Sequence, residues 1–267
     1  MLTIFAVCYV ALCLVCGLFQ RRLLYFPTIL PTDLAVRLAA ENGLLPWKNP
    51  DGQIIGWKIP SKGPATGSVL ITHGNGGSAG GRNYLAQPIH DAAAVDVFVL
   101  EYPGYGARPG SPSKTSLVAA AAEAFHLMPG GLPKYLVSES LGTGVAGELA
   151  RAHPGEVAGI AMFAPYQNLA SVAQRRFWFL PAYFVFLDRF DPADCLQGYH
   201  GPVKFIVAGA DEVIGAATGL RLAEGYRGPK ELQVFPAALH NEVAAEPPGW
   251  WEEVFEFWRK NAATGGK

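Results

Sequence analysis

The chain has 267 residues, of which 50% are hydrophobic and 16% charged, and its formal net charge is −1. That length supplies one large α/β domain with a sizeable core. The near-neutral balance, without a long charge run, excludes the basic footprint of a nucleic-acid-binding protein.

Residues 2–19 are apolar and carry no charge, and Arg21 and Arg22 follow. Eighteen residues at roughly 1.5 Å each reach about 27 Å, near the hydrocarbon thickness of a bilayer. A cleaved signal peptide would have basic residues before the apolar run and a small-residue cleavage site after it. No Lys or Arg precedes Leu2, so the segment is expected to be a retained single-pass anchor over 1–22, with the remaining domain over 23–267. Positive charge after the helix predicts that this domain faces the cytoplasm. Cys8, Cys13 and Cys16 lie in the anchor, so Cys195 has no partner for a disulfide within the domain. Cys13 and Cys16 have metal-like spacing but no second ligand pair, and no H-E-x-x-H is present.

Beyond the lead-in, a strand is predicted over 54–59 and another over 69–72, followed by mixed loop and helix over 78–94. Strands over 95–101, 134–137, 157–163, 203–207 and 232–235 alternate with helices over 115–127, 141–152, 216–226 and 250–260. This alternation predicts an α/β fold, a mostly parallel central sheet with helices on both faces. Ligand-handling loops then fall at the carboxyl ends of the strands. His73, Ser140, Asp211 and His240 all fall at such ends.

Ser140 stands between the strand Tyr135-Leu136-Val137 and a small-residue helix that opens with Leu141-Gly142-Thr143-Gly144. That is the setting of a nucleophile elbow, where a sharp turn lifts the hydroxyl above the sheet. Serine needs a base within reach and a group that orients the base. Asp211 and then His240 follow at later strand ends, in the order nucleophile, acid, base. Asp188, Asp191 and Asp194 are rival acids, but they precede the strand over 203–207. The glycine-rich loop His73-Gly74-Asn75-Gly76-Gly77 can turn a backbone N–H toward the serine. The N–H groups of Asn75 and Leu141 are the expected oxyanion hole, with His73 orienting the loop.

With these motifs the chain resembles the α/β-hydrolase superfamily. Within it, the chain resembles the membrane-anchored serine hydrolases that include protein depalmitoylases and their bacterial homologues. The matching stretches run from Gln20-Arg21-Arg22-Leu23-Leu24-Tyr25-Phe26-Pro27 through Tyr102-Pro103-Gly104-Tyr105-Gly106 and Arg189-Phe190-Asp191 to His240-Asn241-Glu242. The resemblance implies hydrolysis of esters or thioesters of acyl substrates through an acyl-enzyme, without a cofactor. It also implies that residues 168–194, lying between two strands, form a short cap. Their apolar stretch 177–187 reads equally as a buried core helix or as a cap that lines an acyl pocket or touches a bilayer. The sequence departs from the family at Ser138, where the elbow usually has glycine. Gly142 and Gly144 keep their places relative to Ser140, which favours Ser140 over Ser138 as nucleophile.

Three other readings fit parts of the pattern. Gly142-Thr143-Gly144-Val145-Ala146-Gly147 matches a dinucleotide fingerprint, but the next strand ends in Phe163-Ala164-Pro165 without the required acid. A catalytically weak, membrane-anchored lipid- or partner-binding protein on the same fold is motivated by Ser138. A serine peptidase is a third reading, since the same triad cleaves amides.

Overall fold

Aliphatic runs such as Val69-Leu70-Ile71 form strands buried on both faces, as parallel strands covered by helices must be. The computed structural model describes residues 1–243 and 247–262, so residues 263–267 at the end of the expected domain lie outside the described residues. The strands are β1 (Phe26–Pro27), β2 (Leu45–Lys48), β3 (Ile54–Ile59), β4 (Gly67–Thr72), β5 (Gly76–Gly77), β6 (Val95–Leu100), β7 (Lys134–Glu139), β8 (Val157–Phe163), β9 (Val203–Ala208) and β10 (Lys230–Phe235). The helices are α1 (Leu2–Leu18), α2 (Gln20–Leu24), α3 (Thr32–Glu41), α4 (Asn83–Ala92), α5 (Lys114–Leu127), α6 (Leu141–Ala152), α7 (Leu169–Arg176), α8 (Ala182–Val185), α9 (Pro192–Cys195), α10 (Ala216–Gly225) and α11 (Trp250–Ala262).

Eight strands form one sheet in the order β10-β9-β8-β7-β4-β6-β3-β2. All neighbours are parallel except β3, which runs antiparallel to both β6 and β2. The expected mostly parallel sheet is therefore present, with an antiparallel edge. The sequence reading missed α3 and β2 within the lead-in. Pro46 interrupts any strand signal in β2, and the sheet accepts it because β2 is an edge strand with one neighbour.

The expected membrane span needs correction. The helix α1 has 17 residues and ends before Phe19, where the backbone turns into α2. Among the described residues, no helix is long and apolar enough to cross a membrane. The assignment of the domain to the cytoplasmic side rested on that span and falls with it. Directly after α1 the chain is tied to the domain: Gln20 accepts the backbone N–H groups of Leu187 (2.5 Å) and Asp188 (3.2 Å) on the insertion between β8 and β9.

That insertion holds α7, α8 and α9. Its apolar stretch does not become one buried helix. Pro181 lacks an N–H and confines the helical part to the single turn α8, with an irregular stretch before it. Leu180, Ala182, Val185 and Phe186 turn inward, while Trp178, Phe179, Tyr183, Phe184 and Leu187 remain exposed.

Candidate active site

The elbow is built where β7 ends. Ser140 sits at φ 49° and ψ −115°, a left-handed conformation that a side-chain-bearing residue avoids unless its surroundings impose it. Its N–H donates to the Phe163 carbonyl at 2.9 Å, and its carbonyl accepts the Thr143 hydroxyl at 2.7 Å. The following helix passes very close to β4. Gly142 is required at that crossing, because a Cβ there would run into the Thr72 carbonyl. The glycines of the apparent dinucleotide pattern thus serve close packing, Gly142 against β4 and Gly144 against Tyr166 and Phe190, which a Cβ there would strike.

The structure brings Ser140, His240 and Asp211 together, although the first two are 100 residues apart. His240 Nε2 lies 3.0 Å from Ser140 Oγ. Its other ring nitrogen, Nδ1, lies 2.8 Å from Asp211 Oδ2. Asp211 Oδ1 accepts the backbone N–H groups of Val213 (2.9 Å), Ile214 (2.8 Å) and Gly215 (3.2 Å). Burial opposes ionisation of this carboxyl, but the His240 hydrogen bond and the N–H groups of Ile214 and Gly215 outweigh it and hold its pKa below the usual carboxylate value. The rival acids are engaged elsewhere: Asp188 accepts the Tyr25 hydroxyl at 3.0 Å, Asp191 caps α9, and Asp194 faces Arg151 at 3.4 Å.

Ser138 is fully buried, and its hydroxyl donates to the Ala161 carbonyl at 3.0 Å. It points into the β7–β8 pair, away from the histidine. Asn75 and Leu141, the expected oxyanion donors, both line the cavity above Ser140, and neither backbone N–H meets a protein acceptor among the described residues. His73 is fully buried beneath the loop, with Nδ1 2.7 Å from the Gly74 carbonyl and its ring tilted on Tyr102.

Sequence reasoning missed what holds this loop. The Asn75 amide donates to the Leu24 carbonyl at 2.5 Å, while its oxygen accepts the Phe26 N–H at 3.1 Å and the Tyr105 hydroxyl at 2.9 Å. Strand β1 pairs with β5 directly after it. Residues 24–27 are therefore a strap across the oxyanion loop. Its one sequence signal was that Leu24-Tyr25-Phe26-Pro27 and Tyr105 both lie in family-like stretches. A second missed cluster flanks the serine: Tyr84 donates to Glu139 at 2.9 Å, and Arg82 Nε lies 3.7 Å from the same carboxylate.

A cavity of about 960 Å³ opens over Ser140 and His240. Leu23, Leu24, Leu169, Val172, Ala173 and Phe177 form its apolar wall, so the insertion does line a pocket. Arg22 and Arg176 stand in its lining as well.

An uncharacterized protein of Mycobacterium tuberculosis is similar to this chain, 31% identical over 230 residues that cover 84% of this chain and 81% of that protein. Human alpha/beta hydrolase domain-containing protein 17B is 29% identical over 66% of this chain and 61% of its own length. Among solved structures, the esterase Pf2001 of Pyrococcus furiosus superposes with a TM-score of 0.64 at 15% identity, covering 90% of this chain and 98% of the esterase. The chain belongs to the α/β-hydrolase superfamily. No family model matches it. Two further α/β hydrolases are similar over smaller parts. Lysophosphatidylserine lipase ABHD12 of chicken is 32% identical over 39% of this chain and 29% of its own length. A monoacylglycerol lipase from Paleococcus ferrophilus has a TM-score of 0.56 at 20% identity, covering 78% of this chain and 97% of the lipase. The solved esterase and lipase share its fold.

Proposed function

We propose that the chain is a serine hydrolase that cleaves esters or thioesters of acyl substrates through Ser140, His240 and Asp211. The observation that carries this reading is the unbroken relay Ser140–His240–Asp211, at 3.0 and 2.8 Å, on the floor of an apolar-walled cavity. Similarity to lysophosphatidylserine and monoacylglycerol lipases supports a lipid-like acyl group. The resemblance to depalmitoylase-type enzymes keeps thioesters in the substrate class.

In this mechanism Ser140 Oγ attacks the acyl carbonyl as His240 Nε2 takes its proton. Asp211 holds the imidazole in the tautomer with hydrogen on Nδ1 and stabilises the imidazolium. The developing oxyanion receives the N–H groups of Leu141 and Asn75, donors fixed before the reaction begins and therefore free of reorganisation cost. Collapse releases the alcohol or thiol with the proton from His240 and leaves acyl-Ser140. A water deprotonated by His240 then releases the acid and restores the serine. Ser138, which motivates the binding-only reading, sits in the strand without displacing this relay.

The test is labelling by a fluorophosphonate probe. Wild type and Ser138→Ala are expected to label, whereas Ser140→Ala and His240→Ala are not. No labelling of folded wild type would transfer the weight to a binding protein on the same fold.

A further inference from the structure

Helix α1 carries no buried residue and no charge, yet it does not project freely from the domain. The Tyr9 hydroxyl donates to the Phe179 carbonyl at 2.9 Å. Eleven residues further on, Gln20 holds the N–H groups of Leu187 and Asp188. Contacts at both places fix the second half of α1 alongside the α7–α8 insertion. The two elements therefore share one face. On the insertion, Trp178 is 79% exposed, Phe184 82% and Leu187 70%. On α1, the side chains of Phe5, Val10 and Leu14 are exposed as well. Exposed apolar side chains in this number, on two elements in contact, call for an occupant.

The charge around it says which. Arg21, Arg22, Arg176 and Arg189, on α2 and the insertion, are all exposed. Residues 1–30 and 168–187 contain no Asp or Glu, and Asp188 beside them is buried against Tyr25 and Arg21. A second copy of this chain would set these arginines against one another. A surface of phospholipid phosphates would neutralise them, and aromatic side chains above a basic collar suit the boundary between headgroups and acyl chains.

We propose that the face shared by α1 and the α7–α8 insertion docks on one leaflet of an anionic phospholipid membrane. Trp178 and Phe184 enter the acyl boundary, α1 is taken up beside them, and the four arginines meet lipid phosphates. Arg22, Leu23, Arg176 and Phe177 line the catalytic cavity as well as bordering this face, so an acyl chain passes from lipid to Ser140 without crossing water. Docking itself does not depend on the hydrolytic reading.

The test uses the full chain, diluted from mild detergent into vesicles and sedimented. The vesicles are phosphatidylcholine alone or phosphatidylcholine mixed with phosphatidylglycerol. Binding to the anionic vesicles is expected to fall about tenfold or more in high salt, in pure phosphatidylcholine, and in Arg21→Gln/Arg176→Gln, each arginine near the surface contributing about 1 kcal/mol. Trp178→Ser/Phe184→Ser is expected to lose about as much binding while keeping the circular dichroism and melting of wild type, which shows that it is folded. Equal binding to neutral and anionic vesicles, or binding that ignores both double variants, overturns the proposal in favour of α1 acting alone. A stable dimer with no vesicle binding overturns it in favour of a second copy as the occupant.

Discussion

Asp211→Asn separates orientation from packing at the site, because the two side chains are nearly isosteric. Three backbone N–H groups converge on Asp211 Oδ1, so the asparagine must keep its oxygen there. Its NH₂ is then forced to face His240 Nδ1, where the carboxylate accepted at 2.8 Å. The imidazole can satisfy that donor only by accepting at Nδ1, which moves its hydrogen to Nε2. Nε2–H points at Ser140 Oγ and cannot take the serine proton. A wrong tautomer of this kind costs about 10⁴ in kcat in a serine protease, or about 5.5 kcal/mol of transition-state stabilisation. The assay is steady-state hydrolysis of a p-nitrophenyl acyl ester, with circular dichroism to show that the fold is kept. Loss of roughly 10³ to 10⁴ in kcat with little change in KM is expected. A folded variant that keeps more than about a tenth of wild-type kcat refutes the argument, since imidazole orientation would then not depend on this carboxylate.

The same variant reports on pH. The carboxyl of Asp211 is held below its ordinary value of 3.8, so its contribution to stability is present above that value and lost as pH falls through the lower folded pKa. The unfolding free-energy difference between wild type and Asp211→Asn should therefore shrink on acidification below about pH 4, measured by urea titration. Ser138→Gly removes the hydrogen bond to Ala161 and places glycine inside a strand, which should destabilise by about 1.5–2 kcal/mol while leaving kcat unchanged. A rise in kcat would show instead that the hydroxyl crowds the elbow. Asn75→Ala keeps the backbone N–H but frees the loop from the strap, so kcat should fall about tenfold to a hundredfold with KM nearly constant. Gly142→Ala drives a methyl into the Thr72 carbonyl and should cost about 3 kcal/mol or more in urea unfolding, or prevent soluble expression.

Local features are legible in the amino-acid sequence. Most strands of the sheet are short, largely apolar runs, and Ser140, Asp211 and His240 each follow one (the exposed edge strand β10 in the case of His240), so their order could be read without knowing how the strands assemble. Features that depend on distant partners arise when the strands assemble. Strand order β10-β9-β8-β7-β4 is what brings residues 140, 211 and 240 to one place. The strap on Asn75 joins residues 49 and 51 positions apart, and neither end carries a periodicity that announces the other. Just past the N-terminal helix, Gln20 finds two N–H donors on a segment more than 160 residues away, a partner that the apolar pattern of the helix does not announce. Apolar residues declare only that they will leave water. Whether they enter a core, a pocket wall or an exposed face, as residues 177–187 divide among these, is set by the neighbours that the fold supplies.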